Sequence, residues 1–280
     1  MIKGAMNRDD IRDLVVGGHV PIRFDLAATD LASPVAPVPI YIRVRRVAFL
    51  VQFVKCLSEW FQEFVSDLSC DPWLECDQLG PIPWQYPAGA LYDLLETQPR
   101  PWRLRVHYSA FPCAVVMSFT NGANSPRAHF LNSLKQAAFL MFGTAEPIMK
   151  LASERIQNLF DSMSLGCAPA VLAPEEIVTG GQMNCLPVRF VSVERDGTIR
   201  VRQRPLSASD SWTIAAAFEF VTGASVRECE FVSHGVVLDP ESDLNAICIS
   251  IPFCDMFVYI THGPKKLVPG PGPIYIGPDE

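Results

Sequence analysis

The hydrophobic period of this chain changes in an order that few folds satisfy. Val20-Pro21-Ile22-Arg23-Phe24-Asp25-Leu26 alternates apolar and polar side chains, as a half-buried strand does. A loop containing Pro34, Pro37 and Pro39 follows, and Tyr41 to Val47 reads as a second strand. From Phe49 to Leu68 the period lengthens: Phe49, Phe53, Val54, Leu57, Phe61, Phe64, Val65 and Leu68 recur at helical spacing. Trp73 to Cys76 and Ile82 to Trp84 predict short strands. Pro87 opens a short helix carrying Leu91, Leu94 and Leu95, because a first-turn residue needs no intrahelical donor. Trp102 to Phe111 is then a closing strand.

Strand, strand, helix, strands, short helix, strand is the order of a ubiquitin-like β-grasp. The middle of the chain differs. Ser125-Pro126 is an N-cap followed by Pro at the first helical position, and Gly143 is a C-terminal stop, which predicts a helix to about Phe142. Pro147 opens a second helix with Met149, Ala152, Ile156, Leu159, Phe160 and Met163 on one stripe, ending near Gly166. Period two returns at Leu186 to Val193, Asp196-Gly197 signals a hairpin, and Thr198 to Arg202 is the paired strand. Ser211 to Val221 reads as a helix ended by Gly223, and Glu228 to Leu238 and Met256 to Thr261 as strands. The predicted class is α+β, with two β-grasp modules (10–112 and 184–263) flanking a helix-rich module (123–170). Residues 264–280, rich in Pro and Gly, are expected to be disordered.

Composition narrows the function. The chain has 280 residues, 49% hydrophobic and 19% charged, enough for about two cores. A net charge of -7 argues against a nucleic-acid binder, which needs a basic face for phosphates. Local basic strips at Arg43, Arg45, Arg46 and at Arg200, Arg202, Arg204 alternate with apolar residues and read as solvent faces of strands. The nine cysteines are odd in number and show no CxxC spacing, and the N-terminal residues carry no signal-peptide run, so reduced thiols in the cytosol are expected. No stretch reaches the roughly 18 apolar residues of a membrane span.

The common catalytic patterns are missing. None of His19, His107, His129, His234 and His262 stands at metal-ligand spacing from another His or a Cys. His107, within an alternating strand, reads as structural. There is no Gly-x-Ser-x-Gly elbow, and Gly17-Gly18 and Gly180-Gly181 are too short to cradle a phosphate. Members of a Cys–His pair are distant in sequence, and nothing favours any particular Cys. No catalytic residue, cofactor or metal is therefore expected.

Lysine is scarce: Lys3, Lys55, Lys135, Lys150, Lys265 and Lys266 are six of 23 basic residues. Lys135 has Leu131, Ala138 and Phe139 three or four residues away, with Ala128 and Phe142 beyond, and so leaves an apolar or small-residue face. By its residues alone it reads as a snorkelling surface lysine, the alternative being an acceptor amine beside a docking surface.

Trp84-Gln85-Tyr86-Pro87-Ala88-Gly89-Ala90-Leu91-Tyr92-Asp93-Leu94-Leu95 and Pro101-Trp102-Arg103-Leu104-Arg105-Val106-His107-Tyr108-Ser109-Ala110-Phe111-Pro112 carry a specific resemblance. With Asp10 to Asp13, Gly18 to Leu26, Arg46 to Leu50, Ala128 to Ala137, Leu186 to Val193 and Phe231 to Val236, they resemble the autophagy protein 5 family over about residues 10–262. The match is dense in the first half and thin in the second. Two departures stand out: Leu14, Val15 and Val16 occupy the place of a common Trp, and Gln136 that of an acidic residue.

The resemblance implies a non-catalytic scaffold. Its acceptor lysine falls on Lys135, which would take the C-terminal glycine of the ubiquitin-like modifier autophagy protein 12 in an isopeptide bond, or bind that modifier noncovalently. The E2-like enzymes of the pathway and the coiled-coil protein autophagy protein 16 are the further expected partners. The assembly would act like an E3 for lipidation of autophagy protein 8, in the cytoplasm and peripherally at the preautophagosomal structure membrane. The competing reading is a ubiquitin-like adaptor that binds partners noncovalently outside autophagy.

Overall fold

A computed structural model describes residues 17–68, 70–118, 125–165, 183–227, 229–250 and 254–264. The first sheet is built from β1 (His19–Leu26), β2 (Ile40–Arg45), β3 (Trp73–Cys76), β4 (Gly80–Pro81) and β5 (Trp102–His107), in the order β2-β1-β5-β3-β4. Its two central strands are parallel, with Ile22 beside Trp102 and Leu26 beside Val106, and the other pairs are antiparallel. Alternation does its expected work in β1: Val20, Ile22, Phe24 and Leu26 turn inward. They share a core with Leu104 and Val106 of β5 and with Val54, Leu57 and Phe61 of α1 (Val54–Phe61). Helix α2 (Ala88–Asp93) is buried along its whole length.

The second sheet repeats that plan with β6 (Val188–Val193), β7 (Ile199–Arg202), β8 (Cys229–Ser233), β9 (Val236–Leu238) and β10 (Val258–Pro264), in the order β7-β6-β10-β8-β9. Again the central pair, β6 and β10, is parallel. Phe218 of α6 (Ile214–Thr222) lies 5.6 Å from Phe190 and 5.1 Å from Phe231, ring to ring, and pins the helix to one face. Thr213 caps that helix by accepting from the Ala216 N–H at 3.2 Å, and Gly223 ends it at φ 72°. Between the sheets run α3 (Pro126–Phe142), α4 (Glu146–Met149) and α5 (Ser153–Leu165). The fold is α+β, with two ubiquitin-like sheets and a helical segment between them.

The elements differ from the sequence expectation where tertiary pairing overrides periodicity. The helix expected over 49–68 is α-helical only in α1, with 3-10 turns at Leu50–Phe53 and Gln62–Phe64. Phe49 is drawn out by a bridge to Pro87 and Val65 by a bridge to Leu31, and Leu68 is exposed. Strand β4 occupies Gly80–Pro81 rather than 82–84, and only the Ile82 N–H still reaches β3, at the Leu74 carbonyl. β5 stops at His107, short of Phe111, and Ala110 turns to φ 49°. The helix opened by Pro147 is broken between Met149 and Ser153, which leaves Met149 and Ala152 exposed. α6 starts at Ile214, after its cap, rather than at Ser211. The strand expected over 228–238 is folded back on itself at His234-Gly235, with φ of 53° and 81°, the mirror-image hairpin turn that matches strand twist. β10 begins at Val258, after Met256 at φ 69°, and runs on to Pro264. Helix α7 (Leu244–Ser250) was not foreseen. The expected disordered tail lies, beyond Pro264, outside the described residues.

One expectation fails informatively. Arg46, read with Arg43 and Arg45 as solvent-facing, is only 8% exposed. It ion-pairs with the wholly buried Asp93 carboxylate of α2 and donates to the Gly89 carbonyl at 3.2 Å. Asp93 also accepts the Gly235 N–H at 2.9 Å, so one carboxylate ties α2 to the β8–β9 turn of the other sheet. Glycine is required at both contacts. A Cβ on Gly89 would stand 2.6 Å from the Arg46 Cβ, and one on Gly235 would stand 2.8 Å from the guanidinium carbon.

Two outcomes follow from this packing. Asp93→Ala strands a buried guanidinium and is expected to cost about 3–5 kcal/mol, whereas Asp25→Ala, at a surface pair with Arg23, is expected to cost far less. Urea midpoints for the two variants check this, and equal losses would refute it. Burial, with help from Arg202, lowers His262 from 6.5 to about 4. Between those pH values the unfolded chain holds the extra proton, so stability falls on acidification through that window. His262→Phe should flatten the urea midpoint across it, and an unchanged slope would count against the assignment.

Candidate functional site

Helix α3 carries the lysine singled out above. Its start is set by the Ser125 hydroxyl, which accepts from the Ala128 N–H at 3.2 Å, and by Pro126 at the first position. Its end is set by Gly143 at φ 71°, whose N–H returns to the Phe139 carbonyl at 2.8 Å. Phe130, Leu134, Ala137, Ala138 and Met141 turn into the core. Lys135 is left half-buried on the opposite flank, one turn before Phe139, which is 60% exposed. The apolar flank expected around Lys135 is thus split: Ala138 is buried, and Phe139, one turn on, stands out.

The three described lysines differ in their surroundings. Lys55 faces Glu59 at 3.9 Å, and Lys150 pairs with Glu146 at 2.6 Å. Lys135 forms no ion pair or hydrogen bond with any described residue. Its amine is the one of the three that no described carboxylate holds down.

The residue after it is held firmly. Gln136 accepts through Oε1 from Nη2 of Arg189 in β6, at 2.8 Å. Arg189 is 7% exposed and is fixed from several sides. It donates to the Tyr259 hydroxyl at 2.7 Å, to Asp255 at 3.4 Å and to Gln203 at 3.2 Å, and it lies 3.5 Å from the centre of the Phe257 ring. Tyr259 in turn donates to Asp255 at 2.7 Å. Burial pulls the Arg189 guanidinium down, but Tyr259 and Asp255 more than offset this and hold it above its ordinary value. The edge of the same cluster reaches the first module: the Tyr86 ring lies 6.2 Å from that of Tyr259 and 6.4 Å from that of His129 on α3. Burial lowers His129, with Asp255 opposing and Arg189 reinforcing, and so favours a neutral imidazole.

The arrangement brings an untethered amine and an exposed ring to one helix, with a buried polar cluster behind them. His107 is a structural residue: it stacks on Trp73 at 4.2 Å and bonds Glu75 at 2.8 Å. Among the described residues, no three His, Cys, Asp or Glu side chains gather as a metal site, and no helix is long and apolar enough to cross a membrane. Sequence reasoning singled out Lys135 but gave no notice of Arg189, Asp255 and Tyr259 beside its helix. The signal available was an Arg near the start of a strand whose other residues, Ser192 apart, are apolar, and Arg is costly to bury without partners.

The long motif around Trp84 acquires a physical meaning here. Trp84 donates to the Met117 carbonyl at 2.9 Å, and Tyr86 reaches the second sheet. Gly89 admits Arg46, Tyr92 lies under the Arg46 guanidinium and donates to the Pro99 carbonyl, and Asp93 bridges the modules. Five residues of this motif, Trp84, Tyr86, Gly89, Tyr92 and Asp93, are thus joints between elements.

Comparisons with known proteins agree with these residues. A family model described as "Autophagy protein ATG5, UblA domain" matches residues 15–108, and "Autophagy protein ATG5, alpha-helical bundle region" matches residues 124–166. Autophagy protein 5 of Penicillium rubens is 31% identical over 268 residues, covering 85% of this chain and 83% of that protein. Autophagy protein 5 of Arabidopsis thaliana is 28% identical over 150 residues, 53% of this chain, and the rice (japonica) protein 31% over 153 residues, 54% of this chain. The chain spans less than half the length of these plant relatives, 44% and 40%. The crystal structure of Kluyveromyces marxianus Atg5 shares the fold, with a TM-score of 0.76 at 18% identity over 90% of this chain and 99% of that one. With two family models matched on adjoining segments and a relative followed through most of its length, this chain belongs to the autophagy protein 5 family.

Proposed function

We propose that this chain is a scaffold in autophagosome formation whose Lys135 amine accepts the ubiquitin-like modifier autophagy protein 12. In the transfer, the lysine nitrogen attacks the thioester carbonyl at the modifier's C-terminal glycine. A C–N bond forms, the C–S bond breaks, the amine gives up a proton and the E2-like enzyme regains its thiol. The scaffold contributes a placed nucleophile and no catalytic residue of its own. The product would bind the coiled-coil protein autophagy protein 16 and promote transfer of autophagy protein 8 to phosphatidylethanolamine, peripherally at the preautophagosomal membrane and from a cytoplasmic pool. On this reading the working units are residues 10–112, 123–170 and 184–263.

The observation that carries the proposal is the contrast among the lysines. Lys55 and Lys150 face carboxylates, whereas Lys135 stands one turn before the exposed Phe139 with no described partner. A tethered amine must break an ion pair to reach an incoming thioester, and an untethered one need not. Family membership supports the same position, because the helix bearing Lys135 lies within the matched helical-bundle region.

Lys135→Arg keeps the charge and removes a usable nucleophile, since guanidinium stays protonated. Stability should change by less than about 0.5 kcal/mol. Reconstituted conjugation with the same organism's modifier and its activating enzymes should lose the adduct in Lys135→Arg and keep it in Lys150→Arg. Lipidation of autophagy protein 8 should fall in parallel. A full adduct on Lys135→Arg would disprove the site.

A further inference from the structure

We propose that Gln136 and Arg189 are positioning residues for the Lys135 amine, so that the C-terminal sheet sets the direction in which the helix presents its lysine. This rests on the reading of Lys135 as the acceptor. The buried side of α3 is apolar, and two of its members, Ala137 and Ala138, are small. Apolar contact is non-directional and holds a helix against a core more firmly than it fixes the helix's roll. A hydrogen bond is directional. The bond from Arg189 Nη2 to Gln136 Oε1 is 2.8 Å long and ends on a guanidinium that Asp255, Tyr259, Gln203 and Phe257 hold in place. Consecutive helix residues stand about 100° apart around the axis, so fixing residue 136 fixes the azimuth of residue 135.

The anchor also crosses between segments. Arg189 belongs to β6, 53 residues beyond Gln136, so the lysine is aimed by a different part of the chain from the one that carries it. Gln203 sits on the same guanidinium but lies outside α3, which supplies an internal comparison.

The test is single-turnover transfer from autophagy protein 12 charged as a thioester on its E2-like enzyme, with the donor concentration varied. Gln136→Ala should lower the maximal rate about tenfold and leave the half-saturating donor concentration unchanged, because misaiming the nucleophile affects the step after docking. Gln136→Glu keeps an acceptor for Arg189 and should stay within about twofold of the parent rate. Gln203→Ala removes one of the several bonds that hold Arg189 while Asp255 and Tyr259 remain, and should lose clearly less than Gln136→Ala, staying within about threefold of the parent rate. In parallel, amide exchange should quicken at residues 132–139 in Gln136→Ala while β6 and β10 are unchanged. A parent-like maximal rate in Gln136→Ala, an equal loss in Gln203→Ala, or failure of Gln136→Glu to restore the rate would each overturn the positioning role. Absence of any adduct on the parent protein would instead overturn the acceptor reading on which it rests.

Discussion

The Asp93 carboxylate is the constraint around which the two halves of this protein are arranged. It is fully buried, so its charge must be met by fixed partners, and the structure supplies the Arg46 guanidinium and the Gly235 N–H. Each partner brings its own requirement. Arg46 must leave β2 and turn under α2, which Gly89 permits by having no side chain. Gly235 must present its N–H from a mirror-image turn, and its missing Cβ leaves room for the guanidinium. A pair of this kind is weak evidence for stability in itself, since burying two charges costs about as much as their attraction returns. What it fixes is register: α2 and the β8–β9 turn fit together in one way.

Much of the fold was legible as period and punctuation. The alternation in β1, the cap and stop of α3 at Ser125-Pro126 and Gly143, and the Asp196-Gly197 hairpin are local signals, and local interactions produce them. What escaped was set at a distance. Phe49 and Val65 are pulled out of a helical pattern by bridges to Pro87 and Leu31, partners that periodicity cannot see. Arg46 ends a run that alternates as a surface strand does, and only its contact with Asp93, 47 residues away, shows that it is buried. At the candidate site the same division holds. Lys135 drew attention in the sequence because lysine is scarce in this chain and because of its apolar neighbours and its place in the resemblance. The Arg189 cluster behind it did not, since Gln136 and Arg189 are ordinary residues until the fold brings them together.

The two sheets share one topology and put it to different uses. The outer face of the first is polar: Arg23 pairs with Asp25, Arg105 with Glu75 and Asp77, and His107 with Glu75. The matching face of the second is covered, because Arg189 and Tyr259, neighbours across β6 and β10, point into the cluster beneath α3. A single architecture thus provides one module with a solvated face and another whose face serves as the floor for the helical segment.

The parallel pairing at the centre of the second sheet bears on how the chain acquires its shape. β6 is made first and β10 last, yet they lie side by side, and without β10 the sheet is two separate hairpins, β6–β7 and β8–β9. During synthesis the first sheet can close long before the second. Asp93 then waits 142 residues for the Gly235 N–H that completes its shell. For that interval α2 lacks the partner that the β8–β9 turn later brings to its buried carboxylate.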